Sequence, residues 1–191
     1  ITLSRGGIIT GVTAIFIFAF FYFLGKKDSI FHFMKFTLLA IVMSIPIIIY
    51  TTEVSGGMLI NRYTNKNARG VEKEDMSAGR IEIMENEFDG FLENPFFGIG
   101  VGSGKFKRID ELGHEVASHN EMSRLLGEHG LIGLLMLILL LVVPISNMRN
   151  QSFLNIGLLG GFWIFWFLTI NHSAMRLAMP AFMYGLCVLT I

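Results

Sequence analysis

Glu128-His129-Gly130 runs directly into Leu131-Ile132-Gly133-Leu134-Leu135-Met136-Leu137-Ile138-Leu139-Leu140-Leu141-Val142-Val143-Pro144-Ile145, and Ser118-His119-Asn120-Glu121 stands just upstream. The run from Leu131 has no charge and no polar side chain, so a helix that satisfies its own backbone inside a bilayer is the expected state. The stretch therefore puts His119 where a helix leaves the membrane surface. A reactive group at that depth suits chemistry on a lipid-linked substrate.

The rest of the composition agrees. Of 191 residues 52% are hydrophobic and 16% charged, with 18 Phe, which is too apolar for an ordinary soluble domain of this length. The charges are segregated: 14 of the 15 acidic and nine of the 15 basic residues lie between Thr51 and Gly130. That segment reads as an extramembrane region between spans. The single cysteine, Cys187, lies in an apolar run and excludes both an intrachain disulfide and a cysteine zinc cluster. The chain opens on Ile1 and closes inside an apolar stretch at Ile191, as expected of a piece of a larger membrane protein.

A helix needs about 20 apolar residues to cross a bilayer core. Five segments approach this: Gly6 to Leu24, about Ile30 to Tyr50, Leu131 to Ile145, Phe153 to Ile170, and Leu177 to the end, the last cut short. The expected organisation is two transmembrane helices in 1–50, a large external loop in 51–130, and three transmembrane helices in 131–191, an all-α polytopic bundle. Lys26, Lys27 and Lys35 crowd the first short turn and Arg149 the turn before Phe153, so both turns read as cytoplasmic. Arg5, the long loop and the turn Asn171 to Arg176 then share the external side.

Within the loop, residues 51–76 show no sustained period and read as irregular. From Ser77, apolar Ile81, Met84, Phe88, Phe91 and Leu92 recur at helical spacing until Asn94-Pro95, which predicts an amphipathic helix with one face on the bilayer. Arg80 falls in its first turn, where the helix dipole disfavours a cation. Either it serves an anionic ligand or it faces solvent and lipid headgroups. The glycine run Gly98 to Lys105 fails the P-loop pattern, because Ile99 stands where the first glycine belongs and Phe106 where Ser or Thr would hold magnesium. It fails the dinucleotide fingerprint as well. A tight turn or plain connector is the expectation.

Ser118 and Glu121 fit a capping box, with Ser118 as N-cap and His119 as the first helical residue. The positive end of a helix favours an uncharged, proton-accepting imidazole, as a general base requires, and free amides there suit an anion. The competing reading is an interfacial histidine with a structural hydrogen bond. His114 and His119 lack the spacing of a metal pair, and no His-Glu-x-x-His pattern occurs, so neither a metal nor another cofactor is expected. Nothing in the charge pattern implies a nucleic-acid partner.

Taken in order, Ser4-Arg5-Gly6, Gly79-Arg80, Asn94-Pro95-Phe96-Phe97-Gly98-Ile99-Gly100, His119-Asn120 and Glu128-His129-Gly130-Leu131-Ile132-Gly133 resemble the O-antigen ligase and Wzy-type polymerase superfamily. The resemblance runs from Arg5 to about Pro144. It implies a multi-pass bacterial inner-membrane enzyme, similar to the GT-C glycosyltransferases, that moves a glycan from undecaprenyl pyrophosphate to an acceptor hydroxyl on the periplasmic or outer face, without a metal. It assigns Arg5 and Arg80 to the donor pyrophosphate, His119 to proton removal from the acceptor, and Asn120 and Glu128 to support. His172 and Arg176 share the external side and join the candidates for substrate contact. The acceptor is another lipid-linked glycan in a polymerase of O-antigen or exopolysaccharide, the reading slightly preferred. It is lipid A core in a ligase, or a protein in an O-oligosaccharyltransferase. A non-catalytic multispan transporter or scaffold is the alternative from another class, and Arg5 and Arg176, at span ends rather than mid-membrane, speak against a permeation path.

Overall fold

The structure, a computed structural model, describes residues 5–67, 70–72, 79–113, 116–172 and 178–189, without the side chains of Arg5, Arg62 and Leu112. The described helices are α1 Arg5–Leu24, α2 Ser29–Val54, α3 Met58–Tyr63, α4 Arg80–Glu93, α5 Gly104–Leu112, α6 Glu121–Met148, α7 Phe153–Ile170 and α8 Ala178–Cys187. Four of these, α1, α2, α6 and α7, are long and apolar enough to cross a membrane. The protein is an all-α integral membrane protein.

The core of the bundle is the pair α1 and α7, packed antiparallel through glycines. A Cβ on Gly157 would lie 2.9 Å from the Phe18 carbonyl oxygen, and one on Gly161 3.3 Å from that of Ala14. Helices in lipid gain little from apolar burial against one another, so close backbone approach at small residues is what holds them. Leu159, Trp166 and Ile170 of α7 are fully buried in this packing, and Trp166 meets Tyr184 of α8 with ring centroids 4.9 Å apart. The register fixes the two ends of the bundle. Gly25 meets Phe153 at one end and Gly6 meets His172 at the other. The short turns bearing Lys26, Lys27 and Arg149 thus lie opposite the end where His172 meets the start of α1.

Helix α2 joins the bundle through an aromatic seam in which Phe16, Phe20 and Phe23 of α1 meet Phe33 and Phe36, with centroids 5.7 to 6.5 Å apart. None of its residues is buried. It also runs four residues past the expected end at Tyr50, because nothing from Thr51 to Val54 breaks a helix. Gly56 and Gly57, both at positive φ, stop it. The following segment, expected to be irregular, contains α3 and an antiparallel bridge between Lys66 and Glu72. The fifth expected span is the ten-residue α8, and Leu177 lies outside the described residues.

The stretch that decides the fold is a broken helix. Within α6, Gly130 adopts φ 62° and ψ −138°, a conformation outside the helical region that only glycine takes without strain. The break frees backbone groups, and the turn after α4 takes them up. Leu131 N donates to Pro95 O at 2.7 Å, Ile99 N to Gly127 O at 2.9 Å and Gly100 N to Glu128 O at 3.2 Å. Side chains are excluded at the contact: a Cβ on Gly130 would stand 2.5 Å from Pro95 O, and one on Gly98 2.5 Å from Glu128 O. On Gly133 it would collide with the Leu125 carbonyl. The glycine run, expected to be a tight turn or a plain connector, is a turn bonded to α6. Gly130→Ala is expected to introduce about 1–3 kcal/mol of backbone strain in addition to this overlap. Limited trypsin digestion at Lys105 should then run at least about 5-fold faster, and an unchanged rate would show that the break tolerates a side chain.

Candidate functional site

Helix α4 forms where the 3.6-residue period predicts it and ends at Asn94, with its apolar stripe turned away from the protein. Ile81, Met84, Phe88 and Leu92 are exposed, whereas Ile83, Asn86, Glu87 and Gly90 are buried. The partner of that face is the first part of α6, before its break. The crossing is close: a Cβ on Gly127 would lie 2.5 Å from Glu87 O.

A buried polar network fills this crossing. Glu87, 3% exposed, accepts from Arg108 Nη1 at 2.9 Å and from Ser123 Oγ at 2.6 Å. Arg108, also 3% exposed, donates through Nε to Val116 O at 2.9 Å, which ties α5 and the segment before α6 to the same carboxylate. Burial pushes the Glu87 carboxyl above its usual range, opposed by hydrogen bonds from Ser123 and Ser118 and by the Arg108 charge. Nearby, buried Glu121 accepts from Arg124 Nε at 2.8 Å, and Glu128 lies 3.7 Å from Arg124 Nη1. Asn86 donates to Glu111, and Lys107 pairs with Glu93 at 2.7 Å.

Above the network lies a pocket of about 140 Å³ lined by Arg80, Glu87, His119, Asn120 and Asn171, with Ile81, Ile83 and Met84 as its apolar wall. Three of the residues singled out from sequence, Arg80, His119 and Asn120, thus share one cavity, although His119 lies 39 positions after Arg80. Arg80 is placed by the first turn of α4, after Gly79 at φ 75°. The expected capping box is corrected. The N-cap is Asn120, whose side chain accepts from Met122 N at 2.9 Å and Ser123 N at 3.4 Å. Ser118 is buried and donates to Asn120 O at 3.2 Å. His119 therefore precedes the helix, half-buried at the pocket wall, and does not sit in the first turn where the dipole would act on it most. The physical reason is that Asn and Ser are almost equally good caps, and the demand of Glu87 for hydroxyl donors draws Ser118 inward.

Asn171 reaches the pocket from the far end of α7, where its Nδ2 donates to Phe167 O at 2.8 Å. The adjacent His172 is outside the pocket. Its Nδ1 is within hydrogen-bond distance of Leu168 O, and its ring lies on α1, where a Cβ on Gly6 would stand 2.6 Å from Nε2. This explains the glycine after Arg5 and brings the start of α1 to the same end of the bundle as the pocket. Glu128 does not line the pocket. The side chain of Arg5 and the whole of Arg176 and His114 lie outside the described residues. Glu87, Arg108, Ser123 and Asn171 were not anticipated. The signal for Glu87 was its position seven residues after Arg80, on the same side of α4.

Among the described residues, no group of three or more His, Cys, Asp or Glu side chains is placed to hold a metal ion. A larger hollow of about 330 Å³ lies between α1, α7 and α8, lined by Gly11, Ala14, Phe18, Gly161, Phe165 and Met183 among others, and offers no ionisable group.

The fold and the pocket together define a multi-pass membrane protein with a cationic and imidazole-bearing cavity at one end of its spans. The family model described as O-antigen ligase matches residues 1–138, and the chain belongs to that family. Its members are glycosyl-transferring membrane enzymes that act on lipid-linked glycans. No curated protein and no solved structure matches the chain.

Proposed function

We propose that this protein transfers a glycan from undecaprenyl pyrophosphate to an acceptor hydroxyl, with Arg80 and Arg5 holding the pyrophosphate and His119 accepting the hydroxyl proton. The observation that carries this reading is the shared cavity of Arg80, His119 and Asn120. In the reaction the acceptor oxygen attacks the anomeric carbon as its proton passes to the His119 imidazole. The bond from that carbon to the pyrophosphate oxygen breaks on the opposite side, so the configuration inverts. Guanidinium groups remain charged at all working pH values and meet phosphate oxygens in a bidentate fork, so they stabilise the leaving group where charge develops. Asn120 has its carbonyl oxygen committed to capping α6, and its amide, held only by a weak contact to Met84 Sδ at 3.9 Å, can turn to a sugar, while Asn171, whose amide donates to Phe167 O, offers its carbonyl oxygen from the opposite wall.

Placement in the bacterial inner membrane with the pocket on the periplasmic or outer face is part of the proposal. It is supported by Lys26, Lys27 and Arg149 at the opposite end of the spans. Arg80→Ala is expected to raise KM for the donor by about 10- to 100-fold, the loss of one or more charge-assisted hydrogen bonds, with Arg80→Lys intermediate. An unchanged KM in Arg80→Ala would remove this arginine from the donor site.

The acceptor is read by incubating the full-length protein in vesicles with one undecaprenyl-pyrophosphate-linked repeat and sizing the products. A ladder with no other acceptor present is the result of a polymerase, the reading preferred here. Product only after lipid A core or an acceptor protein is added identifies a ligase or an O-oligosaccharyltransferase. Absence of product under all three conditions would refute glycan transfer.

A further inference from the structure

The turns that lock onto the break in α6 carry three of the most exposed large apolar side chains in the molecule. Phe96, Phe97 and Val101 are 68%, 77% and 78% exposed. We propose that these residues insert into the bilayer leaflet beside the start of the α6 span and anchor the long loop to lipid.

Their depth follows from the hydrogen bonds. Pro95, Ile99 and Gly100 are bonded to Leu131, Gly127 and Glu128, so the flanking apolar side chains are held at the level where the uncharged run begins. From Leu131 to Met148, α6 extends about 27 Å at about 1.5 Å per residue, against a hydrocarbon core of about 30 Å. The core boundary therefore falls within about a turn of Gly130, at the height of the two turns. The surface is also continuous with one already facing lipid: Leu131, Ile132 and Leu135 are 43%, 45% and 57% exposed on the span itself.

The chemistry fits the same occupant. Phe side chains of surface-bound segments bury at the boundary between headgroups and acyl chains, and lysines reach from there toward headgroups. Lys105 lies with its Nζ 5.5 Å from the centroid of the Phe106 ring. The glycines at the lock admit no side chain between turn and helix, so the anchor is rigidly coupled to α6 and, through Glu128 and the α4 crossing, to the pocket. The consequence is that lipid holds the pocket at the membrane surface. This placement does not depend on which glycan is transferred.

The test uses the full-length protein with its cysteines, Cys187 included, replaced by serine. Single cysteines are introduced by Phe97→Cys, Val101→Cys or, as a control at an exposed acidic position of α4, Asp89→Cys. Each is labelled with an environment-sensitive fluorophore in phosphatidylethanolamine and phosphatidylglycerol vesicles, then quenched by nitroxide-bearing lipids or by iodide. The expected result is stronger lipid quenching and weaker iodide quenching at positions 97 and 101 than at 89, by about 2-fold or more in each case. Iodide quenching equal to that at position 89 would put the turns in water. Shielding from both quenchers would mean that protein covers them, and either result overturns the proposal.

Discussion

Replacing His119 with alanine is expected to lower glycan transfer by about 10²- to 10⁴-fold, the range of a positioned general base, while leaving donor affinity unchanged. The side chain is half-buried at the pocket wall and precedes the N-cap, so its removal neither uncaps α6 nor opens the buried network beneath. The loss should fall on kcat, because proton transfer belongs to the transition state and not to binding. Single-turnover transfer in membranes, with expression and donor binding measured alongside, reads the two separately. A loss confined to KM would make His119 a binding residue.

Glu87→Ala is expected to cost about 3–5 kcal/mol of stability, because it strands the Arg108 guanidinium in a site 3% exposed to solvent. The same change leaves Ser123 without its acceptor across the α4 and α6 crossing. Since Arg80 belongs to α4 and His119 leads into α6, loosening the crossing should also misplace the two halves of the pocket. Glu87→Gln keeps an acceptor for Ser123 but not the charge, and should lie between. The paired change Glu87→Leu with Arg108→Met removes both charges and should recover most of the stability. Thermal unfolding in detergent measures all three. Equal stability of Glu87→Ala and the wild type would show that the pair contributes nothing to holding the loop.

The spans were legible because an apolar run of sufficient length has few alternatives to a membrane helix, and Gly6 to Leu24 and Phe153 to Ile170 are found as expected. The period of Ile81, Met84, Phe88 and Leu92 located α4 and its outward apolar stripe. It carried no sign that the opposite face, around Glu87, packs on α6. The Glu87–Arg108 pair spans 21 residues and two helices, a distance over which no local pattern operates. The break at Gly130 was hidden because glycine is common within membrane helices, and only the Pro95 carbonyl and the Gly98 amide make it obligatory. The choice between Ser118 and Asn120 as cap was likewise settled by tertiary partners. Of the candidate site, the residue types that could hold an anion or accept a proton were readable in order along the chain. The second wall, with Asn171 arriving from α7, was not.

In the proposed mechanism Arg80 grips the donor while His119 acts only in the chemistry, and donor binding measured beside turnover in the same preparations separates the two roles. Undecaprenyl-pyrophosphate-linked glycan would be titrated against full-length wild type, Arg80→Ala and His119→Ala, and product release followed in each. Weakened binding is expected in Arg80→Ala, and wild-type binding with product formation cut by about 10²-fold or more in His119→Ala. Full turnover in His119→Ala, or undiminished donor affinity in Arg80→Ala, would contradict this mechanism.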